Sequence, residues 1–137
     1  MKKIVLISCV SKKLSRPARA KDLYISSLFK KSLDYADRQN PDKIFILSAK
    51  YRLLPLNRTI SPYNLTLNKM SVKERKDWAK KVITEFKREA NLNNDEFIFL
   101  AGVNYRKFLI PEIKNYKIPM KGLRFGKQLK FLTDRFK

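Results

Sequence analysis

Three short apolar runs constrain this chain most: Lys3–Ser8 (KIVLIS), Lys43–Ala49 (KIFILSA) and Asp95–Ala101 (DEFIFLA). Each is apolar without alternation. That is the pattern of a strand buried on both faces, as in a parallel sheet. Helix-length stretches lie between them. The stretch from Ala20 to about Gln39 reads as a helix with a rough apolar face of Leu23, Leu28, Leu33 and Tyr35, stopped by Asn40-Pro41. Ser71 and Glu74 form a capping box that opens a second helix to about Ala90, with Trp78, Val82 and Phe86 on one face. Asn91–Asn94 is a turn. A helix should follow Gly102 through Tyr105 and Leu109 and break or shift at Pro111. Tyr116–Met120 is a candidate fourth strand, and Leu123–Phe136 should close the chain as a basic helix.

Pro55 to Asn68 contains two prolines among Asn, Ser and Thr, which predicts a long loop. Loops of that length in small domains are usually functional. No repeat, linker or second domain is visible. The expected architecture is one α/β domain over residues 1–137. It has three layers, α/β/α, around a small, mainly parallel sheet of three to four strands.

The charge balance is extreme. There are 32 Lys and Arg against 12 Asp and Glu, a net charge of +20. Residues 1–31 hold nine bases and one acid, Asp22, and residues 114–137 hold eight bases and one acid, Asp134. If the two ends meet in the fold, they form a single positive face. Such a face attracts phosphate backbones through counterion release and long-range steering. Nucleic acid is therefore the expected partner, and the charge alone leaves the choice of DNA or RNA and the oligomeric state open. No membrane partner is expected, because no apolar run is long enough to span a bilayer and no helix shows a basic amphipathic pattern. Ile4–Ile7 is too short to serve as a secretory signal, which makes the cytoplasm the expected compartment. The single cysteine, Cys9, has no partner for an internal disulfide, in keeping with a reducing environment.

The chain has no histidine, which removes histidine base catalysis and histidine metal ligation. It has three glycines, no phosphate-binding loop motif and no dinucleotide fingerprint. No metal and no cofactor are expected. Chemistry, if any, falls to Asp, Glu, Lys, Tyr, Ser or Cys9. In a parallel sheet, sites form beyond the carboxyl ends of the strands. Those ends are Ser8-Cys9, Ser48-Ala49-Lys50-Tyr51 and Ala101-Gly102. Their small residues leave room for a ligand, and Lys12, Lys13 and Lys50 stand ready to hold phosphate. Asp77, Glu85 and Glu89 lie among lysines on helix faces and are expected to be solvated partners of neighbouring bases. Asp22 differs, as the lone acid near the start of a helix after the first strand. It suits either the helix dipole or a ligand. Tyr24, Tyr51, Tyr63 and Tyr105 are candidates for stacking on bases.

Five ordered elements carry a resemblance. They are Ala20–Phe29 (A-x-D-L-Y-x-S-x-L-F), Ile46–Leu54 (I-L-S-A-K-Y-x-L-L), Pro62-Tyr63 with Leu65 and Leu67, Phe99–Gly102 with Tyr105, and Gly122-Leu123 with Gly126–Leu129. Together they resemble a family of small bacterial and phage proteins known only as a domain of unknown function. More loosely, the chain is similar to proteins of the uracil-DNA-glycosylase-like fold. The resemblance implies a pocket at the carboxyl edge that holds a nucleobase. It points to Cys9, Lys12, Asp22, Tyr24, Ser26, Ser48, Lys50, Tyr63, Gly102, Tyr105 and Gln128. The sequence departs from the pattern at Arg52, where the family element has glycine, and it lacks the water-activating and histidine elements of true uracil-DNA glycosylases.

The expected function is a nucleobase-handling enzyme, an N-glycosidase of modified DNA. Asp22, Lys50 and Ser48 form the catalytic set. Asp22 would stabilise an oxocarbenium-like sugar or orient water. Lys50 or Lys12 would hold a phosphate or the leaving base. Ser8, Cys9, Lys12, Lys13, Tyr24, Ser26, Tyr63, Gly102, Tyr105 and Gln128 would bind base or phosphate. The alternatives are a non-catalytic nucleic-acid-binding module using the same edge, and a small adaptor or inhibitor of an acidic protein. Geometrically, Ser8, Ser48 and Gly102 should share one sheet edge, with Asp22 or Lys50 reaching the same cleft.

Overall fold

The computed structural model describes residues 1–134. The three apolar runs are strands β1 (Lys3–Ser8), β3 (Lys43–Ser48) and β6 (Glu96–Leu100). With β4 (Arg52–Pro55) and β7 (Tyr116–Lys117) they form a five-stranded sheet in the order β4-β3-β1-β6-β7. β1 lies parallel to both β3 and β6, with Val5 opposite Ile44 on one side and Ile98 on the other. β7 pairs with β6 in parallel, and only β4 runs antiparallel. The central sheet is thus mainly parallel. Ile4, Val5, Leu6 and Ile7 are fully buried, as consecutive apolar residues in a central strand must be.

The helix expected from Ala20 to Gln39 is two helices, α1 (Ala20–Leu23) and α2 (Ser27–Arg38). Tyr24 and Ser26 adopt extended backbone conformations, and the Ser26 hydroxyl caps the second helix by accepting from the Phe29 amide. The fully buried stripe of α2 is Phe29, Ser32 and Ala36, with the expected Leu28, Leu33 and Tyr35 half-buried against the core beside it. Helix α3 (Val72–Glu89) begins at the expected capping box. Ser71 Oγ accepts from the Glu74 amide at 3.1 Å, and Glu74 Oε1 accepts from the Ser71 amide at 3.0 Å. Trp78, Val82 and Phe86 face the core, joined by Ala79 and Ile83.

The long loop is more ordered than its composition suggests. β4 turns back on β3, and a two-residue strand, β5 (Thr59–Ile60), pairs with β2 (Ala18–Arg19). After Gly102 the helix is short, α4 (Val103–Arg106), followed by a 3-10 turn at Ile110–Glu112 that contains Pro111. The closing helix α5 (Phe125–Asp134) packs on α2. The last residues of the expected closing helix lie outside the described range. No helix among the described residues is long and apolar enough to cross a membrane.

Candidate functional site at the carboxyl edge

From β1 the chain continues toward β3, on one side in the strand order. From β6 it continues toward β7, on the other. Diverging connections leave a crevice between the two strand tips, the place where open α/β sheets bind ligands. Here it is a cavity of about 570 Å³. That is within the ~300–1,000 Å³ of small-molecule sites.

The loop after β1 is held on three sides. The Cys9 amide donates to Leu47 O at 3.0 Å, Ile25 N to Lys12 O at 3.0 Å, and Leu14 N to Leu23 O at 2.9 Å. Lys12 and Lys13 therefore project from fixed backbone onto the cavity wall. The Lys13 ammonium lies 4.5 Å from the Tyr63 ring centroid and 5.7 Å from that of Tyr24, a cation–π arrangement. Burial pulls the Lys13 pKa below the ordinary lysine value, with Cys9 opposing the shift. Lys69 enters from the 3-10 turn Leu67–Lys69, and Arg106 from α4. Arg106 is anchored by a 2.6 Å hydrogen bond from Nη1 to Ala101 O, and burial lowers its pKa too. Among the described residues, no Asp or Glu borders the cavity. The inner wall is largely apolar and includes Ile7, Phe29, Phe99 and Met120. Exposed apolar side chains stand on the lip: Phe125 is 61% exposed and Leu65 43%.

Of the residues singled out from sequence, Ser8, Cys9, Lys12, Lys13, Ser26, Gly102, Tyr105 and Gln128 all border this cavity. Several of them also build it. Ser8 Oγ accepts from the Gly102 amide at 3.4 Å, tying the two strand tips together. Tyr105 Oη accepts from the Leu67 amide and the Cys9 thiol, both at 3.3 Å, and lies 3.3 Å from Thr66 Oγ1. Ser26 caps α2, and Gln128 donates from Nε2 to Leu123 O at 2.9 Å.

Ser48, Tyr24 and Tyr63 do not border the cavity; they form a hydroxyl chain at the tip of β3. Ser48 Oγ accepts from the amides of Lys50 (3.3 Å) and Tyr51 (3.0 Å). With both lone pairs engaged, its proton goes to Tyr63 Oη at 2.8 Å. Tyr63 and Tyr24 share a further bond of 2.6 Å. Burial pushes the Tyr24 phenol up to about 12, and Tyr63 and Tyr105 also upward, so all three stay protonated near neutrality. The indole of Trp78 closes the same strand end, donating to Ser48 O at 2.9 Å. The Ser48 hydroxyl is thus committed to holding the β3–β4 hairpin.

Asp22 and Lys50 are also outside the cavity wall, contrary to the expectation that one of them would reach it. α1 turns Ala20 and Leu23 inward and Asp22 outward. Asp22 is exposed and forms no hydrogen bond or ion pair with a described residue. Lys50 sits on the hairpin turn with its ammonium 5.5 Å from the Tyr51 ring centroid. Glu85 and Glu89 are not paired along their own helix. They reach across to Arg52 (3.3 Å) and Lys43 (2.9 Å).

Sequence reasoning passed over Ser32, Lys69 and Arg106, which also border the cavity. A signal existed for Ser32: a lone polar residue at the i+3 position of the Phe29–Ala36 stripe. For Lys69 and Arg106 none distinguished them from the other basic residues. No curated protein and no solved structure matches the chain. A family model described as a family of unknown function does match, over residues 4–134, and the chain belongs to that family, DUF6884.

Proposed function

We propose that the protein is a nucleic-acid-binding module that takes one unstacked nucleotide into the cleft at the carboxyl edge of its sheet. One observation carries this reading: the cavity is bordered by four basic residues and no acid, around an apolar inner wall. An anionic ligand with an uncharged, flat portion fits both features. Lys12 and Lys69 are exposed and suit the phosphate end. Phe125 on the lip offers a face on which a neighbouring base can stack. The net charge of +20 supplies attraction to the rest of the strand.

The looser kinship with the uracil-DNA-glycosylase-like fold is part of this reading. The crossover from β1 to β3 and the one from β3 to β6 run in opposite directions in the strand order. Right-handed crossovers would then place α2 and α3 on opposite faces, giving three layers. Glycosidic cleavage calls for a carboxylate near the sugar. The position of Asp22 therefore favours binding over the N-glycosidase expectation.

The test is a titration of a short, labelled single strand at several salt concentrations. Affinity should fall steeply with salt, and Lys12→Ala should lessen the log–log slope by about 0.7, one single-strand phosphate contact. Absence of binding at low salt, or a flat salt dependence, would refute the reading. Abasic sites appearing in modified DNA with wild-type protein, and not with Asp22→Asn, would restore the glycosidase.

A further inference from the structure

Ser32 is 3% exposed and borders the cavity. Its hydroxyl makes no hydrogen bond to any described residue. A helical serine or threonine can return its hydroxyl to the carbonyl four residues back. Thr84 does so, donating to Lys80 O at 3.1 Å, whereas Ser32 does not bond to Leu28 O. Near the sheet edge Ser8 is engaged with the Gly102 amide, Ser26 with the Phe29 amide, and Ser48 with two amides and Tyr63, while Ser11, which also borders the cavity, is exposed to solvent and not set in its inner wall. No buried polar side-chain atom in the described residues lacks a partner, so the free Ser32 oxygen opens onto the cavity space. It does so on a wall it shares with Ile7, Phe29 and Phe99.

The cavity is therefore polarised. Exposed ammonium groups stand at its mouth, and an uncharged hydroxyl that both donates and accepts stands on an apolar inner wall. A phosphate belongs at the mouth, beside the lysines. The moiety that belongs inside has apolar faces and a hydrogen-bonding edge. Purine and pyrimidine rings have that form.

We propose that Ser32 is a specificity-determining residue of the cleft, and that its hydroxyl hydrogen-bonds the polar edge of the nucleobase that enters. This inference rests on the nucleotide-binding reading above and adds to it which part of the ligand goes in first. Binding energy would then depend on the base, and not on charge alone. A site built to bond a polar edge discriminates against a ligand that lacks it, because the buried hydroxyl is left unpaired.

The experiment compares short single strands of each base with a strand of equal length and charge that is abasic throughout. Titrations are followed by fluorescence anisotropy with wild-type protein and Ser32→Ala. Wild-type protein should bind at least one base strand more tightly than the abasic strand. Ser32→Ala should lower affinity for that base strand about three- to tenfold, the range for one neutral hydrogen bond. Affinity for the abasic strand should not change. The variant should also melt at or above the wild-type temperature, because alanine favours the helix and the Ser32 hydroxyl has no protein partner to lose.

Unchanged affinity of Ser32→Ala for the preferred base strand would overturn the role of Ser32 and leave the nucleotide-binding reading standing. A marked fall in melting temperature would assign the hydroxyl to the fold instead. Equal affinity of wild-type protein for abasic and base strands would mean that no base enters, overturning both this inference and the base-entry part of the reading.

Discussion

Arg52 offers the sharpest test of the backbone at the β3–β4 turn. It has φ +62°, in the left-handed region, at the position where the resemblance expects glycine. A residue with a Cβ loses about 1–2 kcal/mol there, and glycine does not. Glycine is also more flexible when unfolded, which returns about 0.4–1 kcal/mol of that difference. Arg52→Gly should therefore be more stable than Arg52→Ala by about 0.5–1 kcal/mol. Both variants lose the contact from Arg52 Nε to Glu85 Oε2 at 3.3 Å. Its side chains are 42% and 26% exposed, so the pair is worth about 0–1 kcal/mol. Because that loss is common to both, the difference between the variants isolates the backbone. Both also keep the Leu53 amide bond to Glu85 Oε1 at 3.0 Å, which holds the turn against α3. In a chain of this length the gap corresponds to about 2–4 °C in melting temperature. Urea unfolding should show the same order of midpoints at a common slope. An alanine variant as stable as the glycine variant would refute the claim that Arg52 is strained.

Three further outcomes follow from the geometry. Ser48→Ala takes the acceptor from two backbone amides at the β3 tip and leaves the Tyr63 phenol with Tyr24 as its partner, so it should lower stability by about 2–4 kcal/mol in urea unfolding, whereas a purely catalytic serine would leave stability alone. Asp95 accepts from the amides of Asn91 (2.7 Å) and Lys2 (2.8 Å), which lowers its pKa, so its contribution is complete above the ordinary Asp value of about 3.9 and fades as pH falls below it. Thermal melts of wild type and Asp95→Asn should accordingly differ at pH 7 and converge in acid; a constant gap would contradict the assignment. Asp22→Asn should change melting free energy by no more than about 0.5 kcal/mol and leave the salt slope of single-strand binding intact, since the carboxylate is exposed and makes no hydrogen bond or ion pair with a described residue; a larger change would contradict that placement.

How much of this was legible in the sequence depended on range. Val5, Phe45 and Phe97 announce their strands because a strand buried on both faces needs only consecutive apolar residues. Ser71 and Glu74 announce α3 because a capping box closes within four residues. β4 was hidden, because its pairing with β3 starts at a left-handed Arg52 and ends at Pro55, two poor strand residues. The Tyr24–Tyr63–Ser48 chain joins residues up to 39 apart, and nothing local marks it as a brace and not a stacking platform.

The site itself divides along the same line. Ser8, Cys9, Lys12 and Gly102 were legible because topology alone puts the ends of parallel strands on one edge. Asp22 drew attention by being a rare acid, but rarity along a chain does not fix direction in space, and one turn of helix sends it outward. Ser32 was lost for the opposite reason. A single serine in a stripe with Phe29 and Ala36 weakens the helical pattern, which shifts the expected buried face toward Leu28, Leu33 and Tyr35. In a helix that packs fully against its neighbours, such a serine would find a carbonyl or be replaced by an apolar residue. Its hydroxyl persists here without a protein partner, on the wall of a cavity that gathers Lys12, Lys69 and Arg106 from three separate segments. A polar residue that interrupts an apolar stripe where the stripe meets a cavity therefore has a direction fixed by its helix, which an unusual charge on a loop or a helix end does not.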